Sequence, residues 1–404
     1  MSRPVVVTGI GCISPNGIGC DVFTDALLAG HSGLSFLPEH LRGKLKSSIA
    51  GQVLDFDPAD HLDTQDIRRT PRTVHLAIAA AREALRDADV DPQRTAVLLG
   101  TGGGGVTFLE EQYKAVFTGG KTSPFAITVG THGNLASELS ITFGLRGPSH
   151  CISTGCASGL DAVGHGLDLI RNGRCDAVLC GGADAPISQA TLQAFEAMKV
   201  ISSRHHADPA DACRPFAADR SGFILGEGAW MFLLEAGDVT KREPLAEIAG
   251  YGSTCDAYHR VQVAPDVAEC VRAVRLALDD ADTSPDTVDH VNLHGTGTRM
   301  NDALETRAMR EVFGERAATI PMSATKSMIG HPQGASAAAG LAATILCAHR
   351  GFVHPTLNTT PADPECDLDY VPEPRQVDVR TAVINCLAFG SKNSALVVTL
   401  QRSC

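Results

Sequence analysis

The sequence predicts an α/β protein, and three observations carry that prediction. Strand-like runs such as Ala96-Val97-Leu98-Leu99, Ala177-Val178-Leu179-Cys180, His290-Val291-Asn292-Leu293 and Thr381-Ala382-Val383-Ile384 alternate with helical stretches. Continuous apolar strands between helices imply a sheet buried on both faces. The chain also looks weakly duplicated. Leu98-Leu99-Gly100-Thr101-Gly102-Gly103 echoes Asn292-Leu293-His294-Gly295-Thr296-Gly297, and a small-residue helix follows both Cys156 and His331. That period is far longer than a solenoid repeat, so it predicts two similar half-domains stacked on each other. The charged segment 237–244 separates two strand-like runs, and we place the boundary there, giving halves 1–240 and 241–404.

Taken in order, the first element is a core strand over Pro4-Val5-Val6-Val7-Thr8-Gly9-Ile10-Gly11. The strand at 96–99 runs into Gly100-Thr101-Gly102-Gly103-Gly104-Gly105, which fits G-x-G-x-x-G. A dinucleotide site also needs a second strand ending in an acid roughly twenty residues on. Here Phe117-Thr118-Gly119-Gly120-Lys121 reads as a loop without one, so the glycines serve close backbone approach or a substrate-pocket loop.

Next comes an extended Pro148-Ser149-His150-Cys151-Ile152, a small-residue turn carrying Cys156, and a helix marked by Leu160, Val163, Leu167 and Ile170. A thiol at a helix N-terminus meets free N–H groups and a dipole that favour its thiolate, and small neighbours admit a substrate carbonyl. Cys156 is then either a buried structural cysteine or a nucleophile.

Two later turns weigh on that choice. A strand delivers His294 into Gly295-Thr296-Gly297-Thr298, and Lys326-Ser327-Met328-Ile329-Gly330-His331 precedes an Ala-rich helix. A lone histidine is usually structural, but two in glycine-flanked turns plus an elbow cysteine are the parts of thiol acyl chemistry. His205-His206 with Cys213 matches no standard metal spacing and reads as a polar loop.

Composition bounds the rest. The 404 residues carry a net charge of −12, which disfavours non-specific nucleic-acid binding. An acidic partner would dock on a local basic patch; Arg68, Arg69 and Arg72 form one, or else a solvated helix face. Thirteen scattered cysteines with no CxxC pair and no secretory signal indicate reduced thiols in the cytoplasm and no metal site. No apolar run is long enough to cross a bilayer.

The cysteine elbow, His-Gly-Thr-Gly-Thr and Lys-Ser-Met-Ile-Gly-His together resemble the β-ketoacyl-acyl-carrier-protein synthase family. The likeness runs from 5–11 to Asn385-Cys386-Leu387-Ala388-Phe389-Gly390, with support from 144–149, 222–228 and 256–259. Segments 297–302 and 364–372 resemble the ketosynthase subunits of bacterial type II polyketide systems.

The resemblance implies a thiolase fold: two βαβαβαββ halves in a five-layered α-β-α-β-α core. It implies that Cys156 takes an acyl chain from acyl carrier protein. His294 and His331 then stabilise the enolate left when malonyl-carrier loses carbon dioxide, and the N–H groups of Cys156 and Phe389 hold the tetrahedral oxyanion. Lys326 with Glu305 as counter-ion orients the histidines, or is a plain structural ion pair. Thr296 and Thr298 bond the phosphopantetheine arm, Phe389 gates the cysteine, and Phe108 shapes the chain-length pocket or is ordinary core.

No cofactor beyond the carrier's phosphopantetheine is implied. The chain is expected to pair with itself or with a ketosynthase-like chain-length subunit. One departure is the gate, Ala388-Phe389-Gly390-Ser391-Lys392, where the family usually has Gly-Phe-Gly-Gly; fewer glycines stiffen a loop. The other is Pro332-Gln333 after His331, which rigidifies that turn. A chain-length subunit without its own catalysis is the alternative, but such subunits lack the reactive cysteine. A thiolase needs a second catalytic cysteine near the last Gly-rich loop, where Cys386 is close but Phe389 takes the turn. A coenzyme A-dependent starter enzyme carries Asn where His331 stands.

Overall fold

A computed structural model describes residues 3–400. Its main strands are β1 (Val5–Ser14), β2 (Thr95–Gly100), β3 (Ser149–Ile152), β4 (Ala177–Asp184), β5 (Gly228–Ala236), β6 (Ala246–Cys255), β7 (His290–Asn292), β8 (Met322–Ser323), β9 (Thr381–Ala388) and β10 (Lys392–Thr399). They form one continuous path in the order β8-β7-β9-β10-β6-β1-β5-β4-β2-β3. Outward from the centre, β1-β5-β4-β2-β3 on one side matches β6-β10-β9-β7-β8 on the other. Orientation repeats too. β2 is parallel to β3 and β4, as β7 is to β8 and β9, and the β4–β5 and β9–β10 pairs are antiparallel. The faint sequence echo is therefore a duplication of the whole topology. Within the sheet, the two halves are paired through Val6–Glu247 and Val7–Ala246.

Helices α1 (Arg72–Ala84), α2 (Val106–Phe117), α3 (Leu135–Phe143), α4 (Ser158–Arg171), α5 (Ala268–Asp280), α6 (Arg299–Phe313) and α7 (Ser336–His349) complete the layers. The predicted stripe Leu160, Val163, Leu167 and Ile170 on α4 is fully buried and shares one core with Leu341 and Ile345 on α7, Val178 on β4 and Ile384 on β9. Burying each of those α4 side chains contributes about 1.5–3 kcal/mol. Thus α4 and α7 lie between the half-sheets. Outside them, α1 covers the first half through Leu76 and Ala80, and α5 and α6 cover the second through Val274 and Met309. This is the five-layered thiolase fold. Small residues let the middle helices approach closely; a Cβ on Gly159 would meet that of Ala338 at 2.9 Å.

The glycine run after β2 is no phosphate cradle. The N–H groups of Gly102 and Gly103 each donate to Asp184 at 2.8 Å. Asp184 also accepts from Thr101 Oγ1 at 2.7 Å and Gly334 N–H at 2.6 Å. This carboxylate is fully buried, and its four donors offset the cost of removing it from water. It ties the ends of β2 and β4 to the turn before α7, and so brings the two halves' site segments together.

Candidate active site

Cys156 lies where β3 gives way to α4. Gly155 turns the chain at φ +67°, and a single 3-10 turn, Gly155–Ala157, leads into the helix. Ser158 Oγ accepts the Thr154 N–H at 2.9 Å and donates to the Gly155 carbonyl at 2.6 Å. Buried Asp161 accepts from Thr154 Oγ1, from Tyr251 OH on β6 and from Ser394 Oγ on β10. The nucleophile's turn, which follows β3 of the first half, is thereby pinned to two neighbouring strands of the second half.

The Cys156 sulfur is 3.1 Å from His331 Nε2, and the backbone N–H groups of Phe389 and Cys156 are directed at it. The sequence argument that the helix terminus favours a thiolate is corrected here. Burial pushes the thiol up to about 11, against the opposing pull of the Lys326 ammonium and those two N–H groups. Desolvation outweighs the helix terminus because the sulfur is only 4% exposed.

His294 follows β7 in a turn held from α6. Glu305 accepts the N–H of His294 at 2.7 Å and of Gly295 at 2.8 Å, and Asn385 Nδ2 at 2.6 Å. Asp302 accepts the N–H groups of Thr296 and Gly297, both at 3.2 Å. The expectation that Glu305 is the counter-ion of Lys326 is narrowed: its charge favours the ammonium, but its oxygens are committed to the turn and to Asn385, and the two make no direct ion pair. Burial raises the Glu305 carboxyl to about 7. Lys326 Nζ instead donates to the His294 carbonyl at 2.6 Å and lies 3.4 Å from its Nδ1. Burial lowers the Lys326 ammonium from its ordinary value, against the raising pull of Cys386, Cys156 and Glu305; as an ammonium it cannot accept a hydrogen bond, which favours the His294 tautomer with its proton on Nε2.

His331 is gripped by its backbone. Its N–H donates to Ile224 O at 2.7 Å, its carbonyl accepts from Gly226 N at 3.0 Å, and the Phe223 ring meets its ring edge-on at 5.2 Å. The two imidazoles stand 5.6 Å apart at 86°. Burial, and then the Lys326 charge, holds both well below the ordinary histidine range, so both are neutral near pH 7. The Cys156 sulfur and one nitrogen of each ring all lie within 4.8 Å of one another. The donor types suit a soft metal, but the Lys326 ammonium beside them disfavours a second cation.

These three residues border a cavity of about 510 Å³. Thr296, Thr298 and Phe389 also line it, with Met198, Val261 and Met300 as apolar wall. The two threonine hydroxyls are 2.9 Å apart. Phe108, expected at the pocket or in the core, is half-buried on α2 and does not line this cavity. Arg72 is corrected as a docking residue: its guanidinium holds Glu227 with two bonds of 2.9 Å and the Val53 carbonyl at 2.7 Å. Arg68 and Arg69 are exposed, and Arg69 lies over the Phe125 ring. Sequence reasoning missed Asp161, Phe223 and the 224–226 grip. Asp161 left a mark as a charge inside the apolar run that follows the cysteine, and 222–228 stood out only as part of the family resemblance, with no role given to its residues.

The profile of the β-ketoacyl synthase N-terminal domain matches residues 2–239, and that of the C-terminal domain matches 245–360. The chain belongs to the β-ketoacyl synthase family. It is an acyltransferase of the 3-oxoacyl-carrier-protein synthase type, whose reaction is a decarboxylative condensation serving polyketide or fatty acid assembly. The tetracenomycin polyketide synthase ketoacyl synthase alpha subunit of Streptomyces glaucescens is 40% identical over 98% of this chain and 97% of its own length. The 3-oxoacyl-[acyl-carrier-protein] synthase 2 of Synechocystis is 37% identical, with the same two coverages. A type II polyketide ketosynthase solved with its acyl-carrier protein and bound to a hexaketide superposes with a TM-score of 0.92 at 32% identity, covering 99% of this chain and 100% of that one. The ishigamide ketosynthase/chain length factor superposes at 0.89 with 33% identity, covering 99% and 100%.

Proposed function

We propose that Cys156 is the acyl-accepting nucleophile and that His294 and His331 divide the work of condensation. The observation that carries this reading is the contact of a buried thiol with one of two neutral imidazoles at the end of a cavity. In the first half-reaction the sulfur attacks a carrier thioester, its proton passes to the departing carrier thiolate, and the N–H groups of Cys156 and Phe389 hold the transient oxyanion. In the second, the malonyl C–C bond to the carboxylate breaks and carbon dioxide leaves. The electron pair forms an enolate, whose oxygen takes hydrogen bonds from the imidazole N–H groups. The enolate carbon attacks the Cys156 thioester and expels the thiolate, which is reprotonated. Electrons and protons balance without a redox partner, so the chemistry asks for no cofactor beyond the carrier's arm.

Thr296 and Thr298 are the hydroxyls we assign to the amides of that arm, and Phe389 to the gate. Exposed Arg68 and Arg69, with Lys199 and Arg299 lining the cavity, supply cations for an acidic carrier. We keep the division into halves 1–240 and 241–404, and a cytoplasmic setting for a chain whose described cysteines are all free thiols. Among the described residues no helix is long and apolar enough to cross a membrane.

A partner chain, identical or a chain-length homologue, fits the open edge of β3; Phe117, Ile127 and Ile141 are 74–85% exposed, the last on α3, which packs on β3. Relatives solved as a ketosynthase with its chain length factor support the second kind.

Intact-mass spectrometry after incubation with acyl-carrier protein tests the nucleophile. The wild type gains one acyl group and Cys156→Ala gains none. An unchanged stoichiometry in the variant contradicts the assignment.

A further inference from the structure

The ring of His294 meets a second buried sulfur that the reaction above does not use. Cys386 lies on β9, fully buried, with Sγ 3.4 Å from His294 Nδ1. Lys326 Nζ stands at the same 3.4 Å. The equal distances mean different things. Sulfur is large and 3.4 Å is an ordinary length for S–H···N, whereas nitrogen donors normally sit nearer 3 Å. The ammonium is moreover already engaged at 2.6 Å by the His294 carbonyl. A proton on Nδ1 facing that ammonium is disfavoured, and the thiol stands at donor distance from the same nitrogen, alongside any second N–H the ammonium offers. Burial raises the Cys386 thiol well above its usual range, against the pull of Lys326, which keeps the hydrogen on sulfur.

We infer that Cys386 is a positioning residue: its thiol donates the hydrogen bond that makes His294 Nδ1 an acceptor and so fixes the Nε2–H for the substrate oxygen. Lys326 favours the same tautomer through its charge and holds the turn through the carbonyl. The inference rests on the enolate-binding role given to His294 above. It also explains why a cysteine placed where a second thiolase nucleophile would be expected is compatible with synthase chemistry: its sulfur is directed at an imidazole and is not a line of attack on substrate.

The test compares Cys386→Ala and Cys386→Ser with wild type in two assays, acylation of Cys156 by intact mass and decarboxylation of malonyl-carrier protein. Alanine is expected to slow decarboxylation roughly tenfold, the scale of losing a group that orients a reacting histidine, while leaving acylation within about twofold. Serine, whose hydroxyl also donates, is expected to restore most of the loss. Equal rates in alanine and wild type overturn the inference, as does equal loss of both steps without rescue by serine. A wild type inactive in both assays would instead sink the reading of the site itself.

Two further measurements bear on the inference, and the first does not depend on the alanine variant folding. Nitrogen-15 spectra of histidine-labelled wild type are expected to show neutral His294 with its proton on Nε2; a proton on Nδ1 overturns the inference. An acyl adduct that persists in Cys156→Ala and disappears in the Cys156→Ala/Cys386→Ala double variant would make Cys386 a nucleophile and overturn it too.

Discussion

The Cys156 thiol is held neutral by burial, and this sets the pH behaviour of the first half-reaction. A thiol raised to about 11 exposes a thiolate fraction that grows about tenfold per pH unit through the neutral range. Iodoacetamide labelling of Cys156, followed by mass, is therefore expected to accelerate steadily from pH 7 to 9; a plateau below pH 8 contradicts the account. Lys326 lowers that thiol and both histidines by its charge alone. Lys326→Met is expected to shift the labelling profile to higher pH and to raise the titration of His294 and His331, read by histidine resonances. Unmoved profiles would deny the ammonium its electrostatic role.

The identities of Cys156, His294 and His331 were legible because each stands in a turn crowded with small residues. Their protonation states were not, since desolvation is a tertiary effect. The same holds for Glu305, whose partners are backbone groups ten and eleven residues away and the distant Asn385 side chain, which no charge pattern announces. Both histidines were expected to serve the enolate, with decarboxylation hit far harder than acylation by their loss; because His331 Nε2 also stands 3.1 Å from the sulfur, His331→Ala is expected to impair acylation as well.

At the scale of elements, the gate departs from its family pattern in a way the structure makes concrete. Ser391 takes φ +63°, a conformation that suits glycine, yet its hydroxyl donates to His259 O at 2.8 Å and accepts the N–H groups of His259 at 3.1 Å and Tyr258 at 3.3 Å. Gly390 N–H adds a bond to Arg260 O at 2.9 Å. The loop that carries Phe389 is thus clasped to 256–260, the start of the segment that lines the cavity through His259, Val261 and Val263. Ser391→Ala keeps the strained φ and loses the hydroxyl, and is expected to cost about 1–3 kcal/mol; Ser391→Gly relieves the strain and costs less. Both should speed amide exchange over 256–262 and 389–391. Unchanged exchange in both contradicts the clasp. The sequence indicated a stiffer loop from missing glycines, but the second strand of the clasp lies far away in the chain and was invisible.

For the whole molecule, the α/β class and buried strands followed from continuous apolar runs, and the duplication from a faint echo that becomes plain only in strand order. What local pattern could not show was the clamp of Asp184, which recruits the glycine run that mimics a nucleotide fingerprint. The same topology leaves β3 at an open sheet edge beside exposed apolar side chains. Phe117→Lys with Ile141→Lys is expected to yield monomers, or to abolish pairing with a chain-length homologue, in light scattering while leaving the melting temperature of the isolated chain nearly unchanged. Persistence of the assembly would place the partner elsewhere.

The account as a whole depends on one division of labour, a sulfur that carries the chain and a neutral His294 that stabilises the enolate. Its most direct test is His294→Ala, assayed separately for acylation of Cys156 and for carbon dioxide release from malonyl-carrier protein. The account predicts acylation near the wild-type rate and a fall in carbon dioxide release on the order of 100-fold or more. A parallel fall in both steps, or carbon dioxide release that survives intact, would contradict it.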